Sequence, residues 1–452
     1  MKLTRINIYL VLAAMVAFTA CDSRLNVEPQ QSIDETQALS TPGNVLAALT
    51  GAYDGLSDND VWGGSQHLSD LLADDNAVIW AGTFEEPEEI FQKSILVQNG
   101  DVERFWTESY EAINRANNVL SAISILDAGD QARVEAEARF IRAACYFDLV
   151  NMFGKVWNDG DPNTNLGVPL VLEPTRAIDE SSEIARNTVA GIYAQILADL
   201  TFAKENLPDE NGGFATTYAA SGLLSRMHLM QANFTEAAAE AERVINSGLF
   251  SLVDDYSQAF TQSANTTEDI FAIEVTSQDG ANDYITFYAA PEFGGRGDID
   301  VTADHLTEYE AGDERLNLFY VDALGIDRTG KWVDNASQDG NINIMRLAEM
   351  YLTLAEAKFR TGDAAAAATN INIVRDRVGL AAIAEADLTL ENILTERRLE
   401  LMFEGHLFRD RKRTEDTIGS LAFSADELVY PIPQRERDVN ANLVQNAGYP
   451  DN

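Results

Sequence analysis

The sequence predicts a mainly α-helical protein, in which a superhelix of tetratricopeptide-like helix pairs carries long loop excursions and a few short strands. Three observations support this fold class. Apolar residues recur with helical spacing in three separate pairs of segments. Small residues occupy positions where the two helices of a tetratricopeptide unit cross closely. A stretch rich in Gly, Asn and Asp, residues 248–341, separates the second pair from the third.

The first element is an N-terminal signal sequence, predicted over residues 1–20. Lys2 and Arg5 precede an apolar run from Ile8 to Phe18, which is the pattern of a secretory signal peptide. The run is shorter than the roughly 20 residues that a transmembrane helix needs. The cysteine that follows it, Cys21, resembles the acylated cysteine of a bacterial lipoprotein. We therefore expect a lipid anchor at Cys21 and a mature domain over residues 21–452.

Three tetratricopeptide-like helix pairs are predicted in the mature domain, at about 101–152, 215–247 and 342–378. In the third pair, Leu354-Ala355 and Ala367 lie where such a unit places its small and apolar contacts, with Gly362-Asp363 at the turn. The three pairs do not recur at the period of about 34 residues that a simple tandem array would show. The scaffold is therefore expected to be interrupted.

The interruption is the excursion at about 248–341. It contains a strand-like segment, "DIFAIEVTS", whose β-branched residues favour extended structure. Glycine, Asn and Asp punctuate the rest, with aromatic residues between them. Because binding residues tend to lie on loops held by a rigid scaffold, we expect the excursion to form the ligand side of the molecule.

The charge of the chain restricts its partners. The formal net charge is −41, and removal of the signal sequence with Lys2 and Arg5 makes it −43. Nucleic acid is an unsuitable partner, because phosphate contacts need clustered Lys and Arg. A neutral or cationic partner is favoured instead. The remaining cysteine, Cys145, lies among apolar residues and is interpreted as a buried small hydrophobic residue.

The sequence contains no recognisable catalytic or cofactor motif. The four histidines are far apart and lack the spacing of a zinc enzyme. The segment "GIDRTGKW" matches most of a phosphate-binding loop, but Trp332 stands where the loop needs Ser or Thr. The segment "DGDPNTNLG" lacks the glycine and the closing glutamate of a calcium loop. We expect neither an enzyme nor a bound cofactor or metal.

The C-terminal region, residues 396–449, carries the most specific pattern. It contains "ERRLELMFEG", then "IPQRE", then "NANLVQNAGY". These segments resemble the C-terminal signature of the RagB/SusD family, and family-like pieces such as "EARFIRAACYFDLVNMFG" and "MRLAEMYLTLAEA" extend the resemblance over the mature chain. Within the signature, Glu396, Arg397, Glu400 and Glu404 have spacings that allow ion pairs along one helix, so a structural role is expected.

The resemblance implies a location, a function and a partner. Members of the family are lipoproteins of the outer membrane that face the cell exterior. They bind oligosaccharides and deliver them to a SusC-type, TonB-dependent barrel transporter during nutrient uptake. Binding in the family comes from aromatic rings stacked on sugar rings and from polar groups that hold hydroxyls. Such a site needs little positive charge, which suits this acidic chain.

The candidate glycan-binding residues are the aromatic and polar side chains of two loop-like segments. One segment is "ADDNAVIWAGTF" and the other is the excursion. The residues are Asp75, Trp80, Tyr284, Tyr288, Arg296 and Trp332.

Three other functions are compatible with the sequence. The chain could bind peptides as a member of the same family, and neighbouring peptidase genes would favour that function over neighbouring glycoside hydrolase genes. It could be a tetratricopeptide scaffold without a ligand, which the absence of a neighbouring barrel transporter would favour. It could be a hydrolase that uses paired acids such as Asp74 and Asp75, which turnover of a bound polysaccharide would show.

Overall fold

A computed structural model describes residues 39–73, 76–177, 182–260, 264–276, 282–333 and 340–450. Fifteen α-helices form within these ranges, so the predicted mainly helical fold class is confirmed. They are α1 Pro42–Leu56, α2 Gln66–Ala73, α3 Glu85–Phe91, α4 Gly100–Ser121, α5 Ala128–Phe153, α6 Val189–Asn206, α7 Thr217–Met230, α8 Phe234–Ile245, α9 Asp283–Tyr288, α10 Ala303–Leu306, α11 Leu347–Arg360, α12 Ala364–Arg377, α13 Leu390–Leu401, α14 Leu407–Arg413 and α15 Gln434–Val439. The predicted signal sequence and Cys21 lie outside the described residues.

The strands are short and form four antiparallel two-stranded sheets in the described part of the chain. They are β1 Val78–Trp80, β2 Leu166–Pro169, β3 Arg186–Thr188, β4 Asp269–Ile273, β5 Ile299–Val301, β6 Phe319–Val321, β7 Asp327–Thr329 and β8 Ile342–Arg346. The pairs are β1 with β5, β2 with β3, β4 with β8 and β6 with β7. The first five residues of the segment "DIFAIEVTS", Asp269–Ile273, form the strand β4, as its composition predicts.

Eight helices pack in succession to form the scaffold. The order is α1, α4, α5, α6, α7, α8, α11 and α12, and each contacts the next. The central helix, α5, is buried along its entire second half, including Cys145, because it contacts α1, α4, α6 and α7. Its side chains therefore form the middle of one large apolar core.

The turn between α11 and α12 shows how the sequence specifies one helix pair. Gly362 has a φ of 90°, a conformation that favours glycine. The next residue, Asp363, accepts a hydrogen bond from the N–H of Ala366 and so begins α12. Ala355 and Ala367 have no exposed surface, and their small side chains allow the two helices to pack closely.

The excursion leaves the scaffold after α8 and returns at β8. Although about a hundred residues separate α8 from α11 in the chain, the two helices pack directly against each other. The excursion also reaches the N-terminal part of the molecule, since β5 pairs with β1 and places Ile299 opposite Trp80. The segments around residues 76–98 and 282–301 are thus brought together.

Candidate ligand-binding site

Three of the predicted glycan-binding aromatic residues lie in the core. Tyr284, Tyr288 and Trp332 expose 1%, 0% and 2% of their surface, respectively. The rings of Tyr284 and Trp332 are stacked with their centroids 4.2 Å apart, and Tyr288 continues the stack at 6.1 Å from Tyr284. A buried ring has no face available to a sugar, so we correct the assignment of these three residues from ligand contacts to supporting residues.

The buried stack is attached to the C-terminal signature. The indole N–H of Trp332 donates a hydrogen bond to the carbonyl oxygen of Phe403 over 2.8 Å. The hydroxyl of Tyr288 donates to Asp70 over 3.0 Å, and Asp70 also accepts the N–H of Gly405. These bonds fix the excursion and α2 to the same segment of the signature.

The other three predicted residues are Trp80, Arg296 and Asp75. Trp80 exposes only 4% of its surface, and Gly82 lies against its ring so closely that a Cβ at Gly82 would be 2.4 Å from the indole. Trp80 is therefore also corrected to a supporting residue. Arg296 is exposed, with 45% of its side chain accessible. Asp75 lies outside the described residues.

An exposed aromatic surface lies directly above Trp80. We call it the aromatic patch and define it as Phe84, Phe287 and Arg296. The two phenyl rings are 6.4 Å apart and nearly perpendicular, and the guanidinium of Arg296 lies 4.6 Å from the centre of the Phe84 ring. Phe84 exposes 44% of its surface, and Phe287 is half-buried on Trp80 at 5.7 Å. The patch therefore exposes much of the Phe84 side chain, part of Phe287 and the cation of Arg296 to solvent.

Backbone contacts hold the two halves of the aromatic patch. The indole N–H of Trp80 donates to the carbonyl of Phe84, and the N–H of Ala81 donates to the carbonyl of Asp298. The N–H of Arg296 donates to the carbonyl of Thr286 over 2.7 Å. These hydrogen bonds, within and between the two segments, therefore fix the relative positions of Phe84, Phe287 and Arg296.

Sequence reasoning missed Phe84 and Phe287. Both are sequence neighbours of predicted residues, Trp80 and Tyr288, so the segments were found but the exposed side chains were not. The spacing of Tyr284, Phe287 and Tyr288, at i, i+3 and i+4, places all three toward one side of α9, so periodicity alone did not distinguish the exposed ring from the buried ones. Phe84 did give a signal, since it immediately precedes the acidic first turn of α3.

The electrostatic surroundings of the aromatic patch are acidic. Arg296 forms an ion pair with Asp298 at 2.6 Å, which offsets the only cation of the patch. Burial and the charges of Asp60 and Asp101 raise the pKa of Asp283, at the start of α9, to about 7. Burial lowers the pKa of His67 to about 4, so this ring, whose centroid lies 4.6 Å from that of Phe287, is neutral at neutral pH. An anionic ligand would meet repulsion here.

The side chains of the patch can make non-covalent contacts with a sugar ring. Aromatic faces cover the C–H-rich faces of sugar rings, and the guanidinium N–H groups of Arg296 can donate to hydroxyl oxygens.

Within the described ranges, no group of three or more His, Cys, Asp or Glu is arranged to hold a metal ion. In the same part of the chain, no helix is long and apolar enough to cross a membrane.

Comparison with known families decides the classification. Residues 24–229 match a family described as "Starch-binding associating with outer membrane", and residues 320–422 match the SusD family. Together the two matches cover about two thirds of the chain. The chain belongs to the SusD/RagB family.

Relatives of this SusD family member align over nearly its whole length. SusD-like protein P2 of Formosa agariphila is 27% identical over 99% of this chain and 100% of its own. A putative sugar-binding protein from Bacteroides vulgatus superposes with a TM-score of 0.83 at 26% identity, covering 91% of this chain and all of that one. A SusD superfamily protein from Bacteroides thetaiotaomicron gives a TM-score of 0.82 at 25% identity, covering 90% of this chain and 99% of that one.

The SusD signature residues are structural, but their partners differ from those expected. Glu396, Glu400 and Glu404 do not form ion pairs along one helix. Helix α13 ends at Leu401, and Phe403 has a φ of 65°, so Glu404 lies beyond the helix. The carboxylates instead bind cations from other elements: Arg315 and Arg375 at Glu396, Arg346 and Arg377 at Glu400, and Lys331 and Arg346 at Glu404.

Proposed function

We propose that this SusD family protein captures oligosaccharides at the aromatic patch and delivers them, without cleaving them, to a SusC-type TonB-dependent transporter in the outer membrane. The observation that carries the proposal is the aromatic patch itself. It combines an exposed ring, a half-exposed ring and a stacked guanidinium, which are groups that bind sugar faces and hydroxyls. The names of the matched family and of the Bacteroides vulgatus protein, starch-binding and sugar-binding, support a carbohydrate ligand.

The proposed ligand is an uncharged glycan. Arg296 is paired with Asp298, and the first turn of α3 beside Phe84 carries Glu85, Glu86 and Glu88. Anionic glycans would therefore meet repulsion, whereas an uncharged sugar loses little by approaching these groups. The formal charge of −41 over the chain acts in the same direction at longer range.

The proposed location is the outer membrane, with the protein attached through lipid at Cys21 and facing the cell exterior. This proposal is supported by the signal-like N-terminal sequence and by the description of the matched family as associating with the outer membrane. Delivery to a transporter follows from the same family relationship. Purification of the lipidated protein from membranes in mild detergent, followed by identification of a co-purifying barrel protein, would test it.

The binding site is tested by removing both rings of the patch. We expect the double variant Phe84→Ala and Phe287→Ala to lose at least about tenfold in affinity for the glycan that the native protein binds, which is ~1.4 kcal/mol. The measurement is retardation in gels that contain starch, mannan or xylan, followed by calorimetry with oligosaccharides. Sulfated and carboxylated polysaccharides in the same series test the preference for uncharged ligands.

Phe234→Ala is a matched control for the loss of a ring. Phe234 is a half-buried phenylalanine on α8 whose ring lies 4.9 Å from the guanidinium of Arg360, much as Phe84 lies near Arg296. The control is expected to bind like the native protein. Undiminished binding by the double variant would show that the aromatic patch is not the glycan site, and cleavage of the glycan would exclude a purely binding role.

A further inference from the structure

The strand β4 has one edge without a strand partner in the described part of the chain. It pairs with β8 along its other edge and belongs to a two-stranded sheet. A groove follows β4 and the two residues after it, and every residue from Asp269 to Val275 lines the groove. Because side chains of a strand alternate between its faces, a groove that touches consecutive residues runs along the edge of the strand.

The groove consists of two separate cavities that follow one another along the chain, a smaller section of about 220 Å³ beside Asp269–Ala272 and a larger section of about 450 Å³ beside Ile273–Val275. The loop at residues 209–216 forms the far wall of the smaller section, and the end of α1, the loop after it and the middle of α4 form that of the larger one. The exposed side chain of Glu274 lies between the sections, close to Gly213. The ring of Phe214 contacts Tyr53 at 4.7 Å, which connects the two far walls.

The groove is strongly acidic along its whole length. Nine carboxylates line it, and Arg115 is the only cation in its lining among the described residues. Asp54, Glu108 and Glu111 lie in the larger section, and Asp209 and Asp269 in the smaller one. Burial and the negative charges of Asp58, Glu111 and Asp60 raise the pKa of Glu108, which agrees with a negative potential in the groove.

Apolar side chains complete the smaller section. Phe214 exposes 42% of its surface and Leu249 exposes 46%, while Phe250 is half-buried beside Tyr218. The groove therefore offers three features side by side, namely a strand edge, acidic walls and apolar contacts. An unpaired strand edge can be extended by another strand, with main-chain hydrogen bonds providing affinity and pockets for alternate side chains providing specificity.

We propose that this groove binds an extended, basic peptide segment of a partner protein, which adds to β4 as a third strand. The seven residues from Asp269 to Val275 correspond to a peptide of about seven residues and roughly 23 Å. Lysine or arginine side chains of the peptide would contact the acidic walls, and the apolar side chains between them would contact Phe214 and Leu249. This site is separate from the aromatic patch and does not depend on the proposed glycan-binding function.

The test uses the lipid-free mature chain and three labelled peptides in fluorescence anisotropy. The first peptide is Lys-Val-Lys-Thr-Lys-Val-Lys with blocked ends, the second has Glu in place of Lys, and the third is the first peptide N-methylated at its five central residues, so that both of its edges lose their donors. We expect the first peptide to bind, the second not to bind and the third to bind at least about tenfold more weakly. N-methylation leaves the charge unchanged but removes the donors that a strand edge requires.

Protein variants locate the peptide. We expect the double variant Asp209→Asn and Glu274→Gln to weaken binding of the lysine peptide at least about fivefold. The matched control, Glu385→Gln with Glu391→Gln, removes two exposed carboxylates near α13 and leaves binding unchanged. Equal binding of the N-methylated peptide, or equal loss in the control, would reduce the interaction to charge attraction and overturn the proposal. Displacement of the peptide by a neutral oligosaccharide would assign the groove to glycan instead.

Discussion

Asp70 is a buried carboxyl group that joins three parts of the molecule. It lies on α2 and accepts hydrogen bonds from Tyr288 of α9 and from the N–H of Gly405 in the signature. Burial is the main cause that raises the pKa of Asp70 to about 7, and the nearby charge of Glu404 contributes. Asp70 therefore holds a proton in the folded protein at pH values where the unfolded chain has lost it.

This difference predicts how stability depends on pH. The pKa of Asp70 is higher in the folded protein than in the unfolded chain. Its contribution to the free energy of unfolding is therefore fully present below about pH 4 and declines as the pH rises to about 7. Between pH 5 and pH 7, we expect the free energy of unfolding to decline less steeply in Asp70→Asn than in the native protein. The two slopes should differ by up to about 1.4 kcal/mol per pH unit. Urea unfolding at several pH values measures it.

Asp304→Asn is the control for this prediction, since Asp304 is an exposed aspartate at the start of α10. Its pH dependence should match that of the native protein. If Asp70→Asn also retained the native pH dependence, Asp70 would be ionised in the folded protein.

At the scale of single residues, the sequence indicated segments that meet at the aromatic patch, but of the exposed side chains there it indicated only Arg296. Trp80, Tyr284 and Trp332 are large aromatic residues in loop-like sequence, and such residues serve equally well as core and as ligand contacts. Their burial depends on contacts with residues such as Phe403, far away in the chain. Arg296 was predicted and is exposed, although its stacking on Phe84 could not be foreseen.

At the scale of elements, a buried charge network joins the excursion to the scaffold and to the signature. Arg346, at the end of β8, is 1% exposed and contacts Glu268 at 2.5 Å, Glu404 at 2.8 Å and Glu400 at 3.1 Å. Lys331 of the excursion donates to Glu404 and to two backbone carbonyls. Despite burial, Arg377 and Arg346 hold the pKa of Glu400 below the usual range, and Arg346 and Lys331 do the same for Glu404.

Removal of one cation from this network should be strongly destabilising. In Arg346→Met, Glu268, Glu400 and Glu404 would each lose a buried partner. We expect the free energy of unfolding to fall by about 3–5 kcal/mol, the usual cost of breaking a buried ion pair. Chemical denaturation measures it. Arg435→Met is the control, because the pair of Arg435 with Glu103 is largely exposed and should contribute less than about 1 kcal/mol. Equal effects of the two substitutions would contradict a structural role for the network.

Local sequence patterns predicted the elements of this region but not their connections. The helix pair that includes α11 and α12 lies within the stretch indicated by its periodicity, and the last turns of α13 contain the first residues of the signature. The cations that bind the signature carboxylates could not be predicted from local sequence patterns. They come from residues 315–377, and only the packing of the whole chain brings them together.

At the scale of the whole molecule, the dominant property is negative charge. The formal charge is −41, with 73 acidic residues against 32 Lys and Arg. Ion pairs use many of the cations in the interior, among them Arg226, Arg315 and Arg346. Repulsion between the remaining surface carboxylates must therefore oppose folding at low ionic strength.

Added salt should relieve this repulsion. We expect the melting temperature to rise by at least about 2 °C between 10 mM and 300 mM NaCl, because the screening length falls from about 30 Å to well below 10 Å. Differential scanning calorimetry at constant pH measures it, and sucrose at equal osmolarity controls for general solute effects. A melting temperature that is insensitive to NaCl would show that surface repulsion has little effect on stability.

The direct packing of α8 on α11 has a consequence for how this architecture can vary. The chain leaves the helical array and re-enters it at neighbouring points, so the segment between them resembles a cassette with both ends fixed in one place. Lengthening a loop whose ends are fixed costs little entropy, since the cost grows only with the logarithm of length. A segment with a different recognition surface can therefore replace the one between α8 and α11, provided that the replacement keeps the few buried cations. The helices that contact this segment need not change.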